Sequence, residues 1–132
     1  MNNIAHDLKT ILLVEDDQLV CDVISCVLEK QGYHVVSTRS PTEALEICKN
    51  IQTPPDLILT DIVMPGMKGT ELAAILKKTT PTMKIIYMSG YTEHVITPKL
   101  LNEEKSYFIS KPFTPKELLN KLQSVLDPEC SS

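Results

Sequence analysis

Runs without a polar member leave this chain few ways to fold. Ile11-Leu12-Leu13-Val14 and Leu57-Ile58-Leu59 are apolar at every position. A strand that lacks polar alternation has to be covered on both faces, the condition of a parallel sheet between layers of helices. The stretches separating such runs are longer and repeat their apolar residues at helical spacing, the pattern of an α/β chain. The expected strands are Thr10 to Val14, His34 to Ser37, Leu57 to Thr60, Met83 to Met88 and Tyr107 to Ile109.

The helices have legible ends. Ser40-Pro41-Thr42-Glu43 and Thr114-Pro115-Lys116-Glu117 each supply a capping hydroxyl, a proline at the first helical position and a glutamate three residues on. The first helix is expected to open near Asp17 and close before Gly32, which can take the left-handed turn at a helix end. Another follows Gly69, with Leu72, Ile75 and Leu76 on one face, and the last buries Leu118, Leu122, Val125 and Leu126. Pro98 interrupts the fourth, and Pro98 to Lys105 reads as a loop. The predicted order is (βα)5, one domain over residues 9–127, with short tails at 1–8 and 128–132.

Composition removes several classes. A chain of 132 residues is the size of a single domain. Seventeen acidic against thirteen basic side chains give a net charge of -4, the wrong sign for a nucleic-acid footprint, so neither nucleic acid nor an acidic membrane is expected as a partner. Cys21, Cys26, Cys48 and Cys130 form no C-x-x-C pair and read as reduced thiols. The first residues lack the apolar core of a secretory signal, the apolar runs fall far short of a membrane span, and the expected compartment is the cytoplasm.

In an open parallel sheet, ligands sit beyond the carboxyl ends of the strands. Glu15-Asp16-Asp17 follow the first strand, Asp61 the third, Ser89-Gly90 the fourth and Ser110-Lys111-Pro112 the fifth. Carboxylates gathered at one edge raise one another's pKa unless a cation offsets them, and hard oxygens on a partly open site suit Mg2+. Lys111 supplies a mobile charge and Ser89 a hydroxyl for phosphate oxygens. Asp61 is the candidate nucleophile, since a carboxylate can accept a phosphoryl group as an acyl phosphate. No G-x-x-x-x-G-K-[ST] loop exists for nucleotide hydrolysis.

Leu12-Leu13-Val14-Glu15-Asp16-Asp17, Leu57-Ile58-Leu59-Thr60-Asp61-Ile62-Val63-Met64-Pro65-Gly66, Met88-Ser89-Gly90-Tyr91 and Ser110-Lys111-Pro112-Phe113 together closely resemble the receiver domain of two-component response regulators. The resemblance covers roughly residues 9 to 127. It implies a flavodoxin-like three-layer sandwich with strand order 2-1-3-4-5. It also implies that Asp61 is the phosphoacceptor, that Asp17 ligates Mg2+ directly with Asp16 acting mainly through water, and that the Val63 main-chain carbonyl completes the protein ligands. Ser89 and Lys111 would meet the phosphoryl oxygens, Phe108 would be the switch residue without a tyrosine's hydroxyl, and Pro112 is a candidate cis proline. Such a domain catalyses only its own phosphorylation and dephosphorylation. Ser-Gly-Tyr-Thr and Phe-Ile-Ser-Lys-Pro-Phe-Thr-Pro are most similar to receivers attached to hybrid histidine kinases, although a stand-alone relay protein fits the same features. A receiver-fold scaffold that works without phosphorylation is the alternative; its expected mark is a missing site residue, and none is missing. A haloacid-dehalogenase-like phosphatase would place a second Asp where this chain has Val63.

The first helix carries more apolar surface than one docking face requires. Val20, Cys21, Ile24, Val27 and Leu28 form the stripe expected to face the sheet, and Leu19, Val23 and Cys26 form a second stripe beside it, an apolar arc of roughly 220°. Either neighbouring loops bury this second stripe or it docks a helix of the phosphodonor, a histidine kinase or a histidine phosphotransfer domain. Self-association as a homodimer stays open.

Overall fold

A computed structural model describes residues 9–90 and 106–126 of the chain. Its described elements run β1 (Thr10–Val14), α1 (Gln18–Lys30), β2 (His34–Thr38), α2 (Pro41–Asn50), β3 (Leu57–Asp61), α3 (Gly69–Thr79), β4 (Lys84–Ser89), β5 (Ser106–Ser110) and α4 (Pro115–Leu126). All five strands pair in parallel in the order β2-β1-β3-β4-β5. The expected strands are all present, each with bounds within a residue of the expectation. The helix interrupted by Pro98, the loop to Lys105 and both tails lie outside the described residues, as do Tyr91 and Cys130. No helix among the described residues is long and apolar enough to cross a membrane.

The unbroken apolar runs are explained by burial on two sides. Successive side chains of a strand point to opposite faces, so Ile11 and Leu13 enter one core with Cys21, Ile24 and Leu28 of α1 and Leu118, Leu122 and Val125 of α4. Leu12 and Val14 enter the other, with Ala44 of α2 and Leu72, Ala73 and Leu76 of α3. Ile75, expected on the buried face of α3, is instead 41% exposed. At about 100° per residue it falls well round the helix from the direction shared by Leu72, Ala73 and Leu76.

Helix ends follow the local sequence. Glu43 N–H donates to Ser40 Oγ at 3.1 Å. At α4, Glu117 N–H donates to Thr114 Oγ1 at 3.1 Å, and Thr114 N–H donates back to Glu117 Oε1 at 2.8 Å. Gly32 takes φ 106°, past the end of α1, a conformation that costs glycine little.

Candidate functional site

Strand order reverses at β1 and β3, and the helices that follow these two strands lie on opposite faces of the sheet, α1 over one core and α3 over the other. The connections therefore diverge and open a crevice at the strands' carboxyl ends. Val14 pairs with Thr60, which brings Glu15 level with Asp61. Asp61 in turn pairs with Met88, and Ser89 with Ser110. The main-chain N–H of Lys111 donates to the Ser89 carbonyl at 2.8 Å, anchoring the lysine at the same edge.

Two of the acidic groups are nearly sealed from water: Glu15 is 2% exposed and Asp61 4%. Lys111 bridges them, with Nζ 2.7 Å from Asp61 Oδ1 and 2.9 Å from Glu15 Oε1. The other Glu15 oxygen accepts the Asp17 N–H at 3.1 Å. Burial pushes the Asp61 carboxyl up to about 7; the Lys111 hydrogen bond opposes this shift, and the Glu15 charge adds to it. Burial pulls Lys111 down, but its hydrogen bonds to Asp61 and Glu15 outweigh that and leave its pKa raised. The lysine is thus a fixed cation on a carboxylate that resists charging alone.

Carboxylate oxygens of Glu15, Asp16 and Asp61 lie within 4.8 Å of one another. Three hard donors against one ammonium leave uncompensated negative charge, and that donor set fits a small divalent cation such as Mg2+. This cluster differs from the expected ligand set. Asp17 is outside the cluster: its Oδ1 accepts the Val20 N–H at 3.1 Å as the N-cap of α1. Glu15, given no role by the sequence reading, occupies the crevice instead. The sequence carried no signal for it, because the apolar runs 11–14 and 57–59 differ in length and only the pairing of Val14 with Thr60 sets position 15 opposite Asp61.

The remaining expected residues are distributed around this centre. Val63 is two positions beyond Asp61 in the β3–α3 connection and is 46% exposed. Ser89 is buried at the end of β4. Phe108 is half-buried on β5, its ring centroid 5.4 Å from that of the buried Tyr87. The Lys111–Pro112 peptide is cis. Leu19 and Val23 are 72% and 56% exposed, and Cys26 is exposed, so the second stripe of α1 is open to solvent. Leu19 and Val23 line one wall of a groove of about 650 Å³ whose other wall includes Lys111, Pro112 and Phe113.

Residues 11–123 match the model of the response regulator receiver domain. The chain is 37% identical over 120 residues to the sensor kinase CckA of Brucella abortus (strain 2308), a match covering 91% of this chain but 13% of the kinase. It is 35% identical over 119 residues to the response regulator receiver protein CpdR of the same organism, covering 90% of this chain and 98% of CpdR. Among solved structures, a CheY-like receiver domain protein from Methanospirillum hungatei superposes with a TM-score of 0.81 at 35% identity, covering 92% of this chain and 96% of that one.

Proposed function

Because the chain belongs to the receiver-domain family of response regulators, we propose that Asp61 is its phosphoacceptor, taking a phosphoryl group from a phosphohistidine of a histidine kinase or a histidine phosphotransfer domain. An Asp61 carboxylate oxygen bonds to phosphorus as the phosphorus–nitrogen bond breaks, and the electron pair leaves on the imidazole. The observation that carries this reading is the Lys111 ammonium held 2.7 Å from a buried Asp61 carboxylate. It neutralises charge on the transferring group without having to be recruited.

Asp16, Asp61, the Val63 carbonyl and, directly or through water, Glu15 would hold Mg2+. When bound, Mg2+ supplies the divalent charge that offsets the carboxylates and binds a phosphoryl oxygen. Ser89 donates its hydroxyl to another phosphoryl oxygen. That contact exists only in the phosphorylated state, so it shifts the population of conformers, with Phe108 as the side chain that follows it. The only chemistry catalysed is the domain's own phosphorylation and dephosphorylation, and the reaction takes place in the cytoplasm. A hybrid sensor kinase and a stand-alone regulator would use the same centre.

The exposed stripe Leu19, Val23 and Cys26 serves as the docking face for the donor's helix. It adjoins the groove that ends at Lys111, so a helix seated there brings its phosphohistidine to Asp61. Acetyl phosphate with Mg2+ tests the central claim. The intact chain should gain the mass of one phosphoryl group and Asp61→Asn should not; an adduct that survives the substitution places the acceptor elsewhere.

A further inference from the structure

The segment between Asp61 and α3 closes on itself. The Gly69 N–H, at the start of α3, donates to the Ile62 carbonyl at 2.7 Å. A methyl group at position 69 would overlap the Asp61 carbonyl oxygen and stand 3.0 Å from the Asp61 carbonyl carbon and 3.3 Å from Ile62 Cα. These are backbone atoms, which cannot swing aside as a side-chain tip can. On its other side the same stretch is tied to β4, through the Asp61–Met88 pairing and through Ile62 N–H donating to the Met88 carbonyl at 3.2 Å. The main chain at 61–62 is therefore clasped between β4 and Gly69, with the Asp61 carboxylate just before the clasp and the Val63 carbonyl just after it.

We infer that Gly69 is a positioning residue for the metal site: by sitting directly on the Asp61–Ile62 backbone it sets the distance between the Asp61 carboxylate and the Val63 carbonyl. This rests on the reading of those two groups as Mg2+ ligands. Mg2+ demands near-ideal octahedral geometry with short bonds, so a backbone displacement that a larger ion would tolerate costs it affinity. Linkage makes the relation reciprocal: a contact that favours the ion must itself be favoured by the ion.

Mg2+ titrated alone into the whole chain, followed by backbone amide resonances, tests this with Gly69→Ala beside Ala73→Gly. The second variant weakens the same helix from a buried position without touching the clasp. Gly69→Ala should raise the Mg2+ dissociation constant at least tenfold, and Ala73→Gly should leave it within twofold. Equal shifts in both, or none in Gly69→Ala, overturn the inference. If Gly69→Ala does not fold, the unsubstituted chain decides: saturating Mg2+ should slow hydrogen exchange at the Gly69 amide at least tenfold, and an unchanged rate overturns the inference. An unsubstituted chain that binds no Mg2+ removes the metal site itself, and the inference with it.

Discussion

Lys111 Nζ lies 2.7 Å from Asp61 Oδ1 although fifty residues of chain separate them, and the contact is made inside a crevice where Asp61 is almost inaccessible to water. One ammonium therefore serves both the buried Asp61 carboxylate and, through Glu15, the acidic cluster beside it. The site gives up stability to hold like charges together, since they oppose folding.

That trade has a pH signature. The Asp61 carboxyl titrates from 3.8 in a free chain to about 7 in the fold. The folded state therefore binds the proton more tightly, and this group costs stability as pH rises from about 4 through 7. Without metal, Asp61→Asn should be more stable than the parent at pH 8, on the order of 1 kcal/mol or more, and the gap should close towards pH 4. Mg2+ at ten times its dissociation constant should stabilise the parent by about 1.4 kcal/mol and the variant by less. Urea unfolding at several pH values reads both effects; a gap that does not change with pH would refute the account of Asp61.

Asp16 and Asp17 are neighbours with different assignments, and their substitutions should separate. Asp17→Ala removes the N-cap of α1 and should cost about 1 kcal/mol, with Mg2+ affinity kept within a few-fold. Asp16→Ala should change stability by about 0.5 kcal/mol or less while weakening Mg2+ binding about tenfold or more, the loss of one charged ligand. Calorimetric Mg2+ titration beside thermal melts distinguishes them, and the reverse pattern would restore Asp17 as the ligand.

Leu19 and Val23 face solvent, so replacing both by Asp should alter stability by less than about 1 kcal/mol. Phosphoryl transfer from a phosphorylated histidine phosphotransfer domain should slow by about tenfold or more, as expected when apolar anchors of an interface are lost. Labelling by acetyl phosphate should persist. Equal losses with both donors would show that the stripe acts on the chemistry and not on docking.

Much of the architecture was legible because it rests on local rules. Apolar runs that need cover on both faces, hydroxyl caps with a glutamate three residues on, and polar residues at strand ends report strands, helix starts and the working edge of the sheet without knowledge of neighbours. The placement of Asp61, Ser89 and Lys111 at that edge was readable for that reason. Ile75 was misread because the face of α3 that is buried depends on where the sheet lies, and three apolar residues at helical spacing do not specify the centre of that face.

The order of elements and the placement of Asp61, Ser89 and Lys111 at one edge of the sheet were written in the chain itself, since short-range spacing and hydrophobicity suffice to determine them. Tertiary structure alone decided that, of three consecutive acidic residues, Glu15 is the one buried beside Asp61. Inter-strand hydrogen bonds between segments some forty-six positions apart set Glu15 opposite Asp61 and leave Asp17 to cap a helix. It alone also left Leu19 and Val23 uncovered and seated Gly69 on the backbone of Asp61, because exposure and close approach are properties of pairs of elements, which no single segment of sequence contains.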